Sequence, residues 1–79
     1  MRASVLIRPK DGILDPQGEA VRGSLQHLGF AVSDARVGRI VDLELSAADP
    51  EEARGEIERM CEQLLANPLI ETCEIVVLG

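Results

Sequence analysis

Few side chains in this sequence have the type and spacing that chemistry requires. His27 is the only histidine. A Ser–His–Asp or Cys–His constellation would need it as the base. On a helix it falls about 200° around from Leu25, toward solvent. Near a helix C-terminus its cationic form is mildly favoured, which requires no function. There are two cysteines, Cys61 and Cys73, at a spacing that fits neither a zinc site nor a CxxC motif. Cys61 falls on an apolar helical face and Cys73 in a strand, which reads as two reduced structural thiols of a cytosolic protein. Counting acids leaves a catalytic carboxylate pair open, but the largest group of them sits among Arg54 and Arg59 as a solvated helix face. No cluster of metal-ligating residues is evident, and neither GxxxxGK[ST] nor GxGxxG is present.

Two short phrases remain. Asp15-Pro16-Gln17-Gly18 marks a helix N-terminus, whose free N–H groups can hold a ligand. It is equally a plain capped start, and the Asp15 carboxylate would occupy the groups that an anion needs. Gly18 and Gly23 each cost about 1 kcal/mol relative to alanine inside a helix. Their presence suggests that something packs close to this helix, a neighbouring subunit being one candidate. Arg36 and Arg39 flank Gly38 in the most concentrated positive feature of the chain. Such a pair can clamp a carboxylate, a phosphate or an acidic partner loop. It can also be an exposed turn, and both readings stand.

The elements that must position these residues follow from periodicity. Ala3 to Pro9 alternates as a strand. Pro9-Lys10-Asp11-Gly12 turns, and Asp15-Pro16 then starts a helix with Val21, Leu25 and Leu28 on one stripe. Gly29 is placed to end it. Val32 to Val37 reads as a weaker strand, and Ile40 to Leu45 as a stronger one. Gly38-Arg39 between them is either a tight hairpin or a bulge in one bent strand. Asp49-Pro50 opens a second helix, with Glu52 near a capping-box position. Its wide apolar stripe is Ala53, Ile57, Met60, Cys61, Leu64 and Leu65. Arg54 with Glu58, and Glu56 with Arg59, have the spacing of surface ion pairs. Asn67-Pro68 stops the helix and Ile70 to Leu78 forms the last strand. The expected fold is α+β, a β-α-β-β-α-β two-layer sandwich with both helices on one face of an antiparallel-containing sheet. Residues 1–79 form a single domain, and the recurring Asp-Pro starts are too short to establish a sequence repeat.

Composition limits the functions available. With 79 residues and Phe30 as the only aromatic, the core must be small and aliphatic. A chain of this size buries about 60% of its unfolded surface, so oligomerisation is an expected source of stability. Fourteen acidic against eight basic residues give a net charge of −6. Without a basic stripe or stacking aromatics, nucleic-acid binding is disfavoured. No apolar run is long enough to span a bilayer, and the chain begins without a signal-peptide pattern. The expected location is the cytoplasm.

Three phrases in order carry a resemblance. Leu14-Asp15-Pro16-Gln17-Gly18, Arg36-Val37-Gly38-Arg39 and Met60-Cys61-Glu62-Gln63-Leu64-Leu65-Ala66-Asn67-Pro68-Leu69-Ile70-Glu71 run through most of the chain. Together they resemble the PurS family, the small subunit of phosphoribosylformylglycinamidine synthase. The chain departs from the family in having Arg39 where lysine is usual, and Cys73 and Ile75 where aromatics often sit. The resemblance implies a non-catalytic dimeric adaptor. It would bridge a glutaminase subunit and a large ATP-dependent ligase subunit in purine biosynthesis, and would help shape the ammonia route. ATP and magnesium would belong to the large subunit, with no cofactor on this chain. Partner contacts are expected at Asp15, Pro16, Gln17, Gly18, Arg36, Gly38, Arg39, Asn67 and Pro68. The alternative is an ACT-like regulatory domain holding a small metabolite between subunits, since the same element order would serve it.

Overall fold

Strict alternation makes Arg2–Pro9 a strand, β1, and gives it the centre of the sheet. Ala3, Val5 and Ile7 are at most 1% exposed. The computed structural model describes residues 1–79. Arg39–Glu44 (β2) and Glu71–Val77 (β3) flank β1, both antiparallel, giving a three-stranded sheet of order β2-β1-β3. In register, Ile7 stands between Arg39 of β2 and Cys73 of β3.

One helix covers the face that carries Val5 and Ile7. Pro50–Met60 (α2) starts at Asp49, whose carboxylate accepts from the Glu52 N–H at 2.8 Å. Glu52 reaches back to the Ala48 N–H at 3.1 Å, which completes a reciprocal cap one residue earlier than usual. Ala53 and Ile57 are fully buried against the sheet. The helix then continues into one π-turn, Cys61–Leu65, closed by Ala66 N–H to Cys61 O at 3.2 Å. An inserted residue of this kind rotates everything after it. It explains why Leu64, expected on the buried stripe, is 85% exposed. The surface pairs expected on α2 do not form, and Arg54 reaches the Ile75 carbonyl instead.

The other helix, Pro16–His27 (α1), stands away from the sheet. Its C-terminus is a full Schellman motif: Gly29 takes φ +97°, Phe30 N–H bonds Leu25 O and Gly29 N–H bonds Gln26 O. Its apolar stripe stays open, with Leu28 70% and Val21 42% exposed. The α+β class, the antiparallel sheet and the two helices agree with expectation, but only α2 packs on the sheet. The Cα radius of gyration is 15.6 Å, against about 12 Å for a compact chain of this length.

Val32 to Val37 is not a strand, so the order is β-α-β-α-β. The reason lies in β1. It ends at Pro9, which has no N–H to donate, and the chain then turns. Nothing is left for residues 32–37 to pair with. Side chains hold the segment instead: Gln26 donates to Val32 O and Asp15 accepts from Val37 N–H. Gly38 is neither a hairpin turn nor a bulge in a bent strand: residues 35–38 form no turn and no strand, and lead directly into β2. A Cβ on Gly38 would collide with the Ile7 carbonyl, which accounts for the glycine.

Candidate functional site

The phrases singled out in the sequence converge at the end of the sheet where β1 stops. Asp15 is the first junction. As the N-cap of α1 its Oδ1 accepts from Gly18 N–H at 3.0 Å, while Oδ2 accepts from Val37 N–H at 2.9 Å. One carboxylate therefore ties the start of α1 to the approach to β2. These two bonds, that from Val37 first, hold the Asp15 carboxyl below its ordinary pKa. Pro16 occupies the first helical turn, where its missing N–H costs nothing.

Gly18 is the one buried residue of α1. A Cβ there would strike the Ala35 carbonyl and the Asp15 carboxylate. The close neighbour inferred from sequence thus lies within the same chain. Gly23 has nothing within 4 Å of a would-be Cβ.

Arg39 forms the second junction. It shares the inward face of β2 with Val41 and Leu43, at the open end of the core. Its guanidinium crosses the end of β1 to Glu71, with Nη1 2.7 Å from Oε2 and Nη2 3.2 Å from Oε1, and donates to Leu65 O at 2.5 Å. Glu71 also accepts from Asn67 N–H at 2.8 Å. The Asn67 side chain accepts from Leu69 N–H, so Asn67-Pro68 forms a self-capped turn that delivers Glu71 to Arg39. Arg39 and then Asn67 lower the Glu71 pKa, and Glu71 raises that of Arg39.

Arg36 faces elsewhere. It bridges Asp11 at 2.6 Å and donates to the Pro9 carbonyl, bracing the turn that follows β1. Arg36 and Arg39 line one hollow on either side of Gly38, and each is matched inside the chain, Arg36 by Asp11 and Arg39 by Glu71. Leu14, Asp15, Gln17, Gly38, Arg39 and Glu71 share a cleft of about 260 Å³. It offers a rigid polar floor with exposed Leu14 at its edge. No nucleophile–base pair sits there. His27 lies at the far end of α1, beside Gly23, Ser24 and Leu28. No three His, Cys, Asp or Glu side chains group as metal ligands. Such a cleft is suited to docking another surface.

Sequence reasoning put Glu71 at the end of the last phrase but not among the contact residues. The signal for it was position: an acid on the inward face of a strand needs a partner.

Known proteins share the sequence pattern and the fold of this chain. The family model PurS, described as phosphoribosylformylglycinamidine (FGAM) synthase, matches residues 2–79. The chain is 43% identical to the phosphoribosylformylglycinamidine synthase subunit PurS of Archaeoglobus fulgidus, over 96% of each chain. The crystal structure of Bacillus subtilis PurS superposes with a TM-score of 0.86 at 33% identity, covering 99% of this chain and 98% of that one. A chain in the structure of PurLQS from Thermotoga maritima gives 0.88 at 29% identity, covering 98% and 95%. With a match along nearly its whole length in sequence and in fold, the chain belongs to the PurS family of phosphoribosylformylglycinamidine synthase subunits.

Proposed function

We propose that this chain is the non-catalytic small subunit of a glutamine-dependent phosphoribosylformylglycinamidine synthase of purine biosynthesis. In this reading it acts in the cytoplasm as a homodimer. It holds a glutaminase subunit and a large ligase subunit at fixed geometry, so that ammonia released by one reaches the other. ATP and magnesium are used on the large subunit. Fixing two active sites relative to one another accelerates transfer without any reacting group on the bridge.

The observation that carries the reading is the likeness to a chain of PurLQS over 98% of the present chain. Two features of the molecule support it. The cleft lined by Asp15, Gln17, Gly38 and Arg39 is rigidly cross-braced, as a docking surface should be. The α1 stripe is left for another chain to cover. No observation favours the metabolite-binding alternative.

The test is reconstitution. The chain is mixed with its cognate glutaminase and ligase subunits, and amidine formation from glutamine is measured with and without it. Glutamine-dependent activity is expected only when all three are present. Equal rates in its absence would refute the assignment.

A further inference from the structure

A second cavity shares only Glu71 with the cleft described above. It opens between α2 and β3, has a volume of about 400 Å³, and is rimmed by Lys10, Arg54, Glu58 and Glu62. Both cysteines line it.

Their convergence has a structural cause. Cys61 is the first residue of the π-turn and is 8% exposed, in the core with Val5, Ile7 and Ile57. Cys73 lies on the inward face of β3, in register with Ile7, and packs against that same cluster. Helix and strand therefore present one sulfur each across the same layer boundary. Cys73 is the less buried of the two. Burial, and then the neighbouring Cys73 thiol, push the Cys61 pKa up to about 12. At rest Cys61 is thus a protonated thiol that must give up its proton as it attacks, and Cys73 is the sulfur that a solute entering the cavity meets.

We propose that Cys61 and Cys73 form a closable dithiol, a modification site at which a small peroxide drives formation of an intrachain disulfide. Cys73, as thiolate, attacks one peroxide oxygen. The O–O bond breaks, the departing hydroxide takes up the proton that Cys73 gave to solvent and leaves as water, and Cys73 becomes a sulfenic acid. The Cys61 sulfur then displaces that hydroxyl: the S–S bond forms, the S–O bond breaks, and the Cys61 proton leaves with the hydroxyl as a second water. Two thiols lose two electrons and two protons, and one hydrogen peroxide becomes two waters. A dithiol reductant reverses the change by exchange. Disulfides of cytosolic proteins are commonly transient and redox-sensing in this way. The closed bond would tie the π-turn to β3 on either side of the Asn67-Pro68 turn, beside the Glu71–Arg39 pair.

The full chain, reduced and folded, is exposed to dilute hydrogen peroxide, then analysed by intact mass, free-thiol count and peptide mapping. The expected product is a single chain lighter by two hydrogen atoms. It has lost both thiols, carries a Cys61–Cys73 linked peptide, and is restored by dithiothreitol. The same treatment in concentrated urea should close the bond more slowly, because the fold supplies the proximity. In Cys73→Ser the remaining thiol should survive a peroxide dose that consumes both in the parent chain. Cross-linked dimers, over-oxidation of one cysteine, two intact thiols, or closure as fast in urea as in the folded chain would each overturn the proposal. The parent-chain measurements stand alone if Cys73→Ser does not fold.

Discussion

Asp15 and Glu71 do similar work from opposite sides of β1. Each is a carboxylate that satisfies backbone N–H groups on a segment outside its own element, and neither is catalytic. Asp15 holds Gly18 and Val37; Glu71 holds Asn67 and meets Arg39. Both carboxyls have a lower pKa folded than unfolded. The unfolded chain therefore binds protons more readily. The stabilisation is complete above the unfolded carboxyl values of about 4, and is lost as pH falls through the lower folded values. The melting temperature should thus fall on the acid side and be flat near neutrality. Glu71→Gln should lower the neutral plateau and shallow the acid limb, as followed by circular dichroism. An acid limb identical to that of the parent would remove Glu71 from the account. The arginine phrase was legible as charge but not as geometry. Sequence shows Arg36 and Arg39 three apart; only the fold shows that they brace different segments.

At the scale of elements, the sequence declared local features and hid the long-range ones. Alternation in β1, the two Asp-Pro starts and the Gly29 stop are short-range signals, and each is realised. The π-turn was hidden because one inserted residue changes no residue type, only the helical phase of the residues beyond it; Leu64 is the residue that this displaces to the surface. The strand expected at Val32 to Val37 failed for want of a partner, which depends on β1 ending at Pro9. The same logic settles Gly18. This residue joins α1 to the approach to β2, since a Cβ there would meet the Ala35 carbonyl. Valine must push those backbones apart, and overpacking of this kind costs about 1–3 kcal/mol. Gly18→Val should therefore lower the melting temperature of the isolated chain, before any partner is added. Gly23→Ala meets nothing in the single chain and should leave that temperature unchanged or raise it, since alanine is the better helix former. Equal losses in the two variants would show that helix propensity, and not the Ala35 contact, explains these glycines.

For the molecule as a whole, the deciding fact is how little of it is buried. Seven residues of 79 are out of solvent, six of them apolar. Five of them form one cluster beneath α2, with nothing comparable beneath α1. An aliphatic core of this size leaves a single chain marginal. Meanwhile α1 carries Val21, Leu25 and Leu28 on one stripe, ends in a well-formed motif, and projects from a molecule 49 Å long and 14 Å thick. A capped amphipathic helix is stable chiefly when its apolar face is covered. The economical cover is the α1 of a second copy, because one self-complementary stripe then protects both chains. The chain should accordingly sediment as a dimer or larger at micromolar concentration. Leu28→Glu should shift it toward monomer, because a charge placed on an interface core costs far more than one placed on a solvated helix. Residue 28 is 70% exposed in the single chain, so its fold should survive, as the spectrum of β-sheet and helix would report. Loss of the dimer should carry glutamine-dependent amidine formation down with it, since a bridge that cannot assemble cannot hold two enzymes together. If Leu28→Glu leaves the sedimentation coefficient and the reconstituted rate of the parent unchanged, α1 is not where the copies meet, and another apolar patch, such as half-buried Leu6 with exposed Ile40 on the uncovered face of the sheet, must supply the contact.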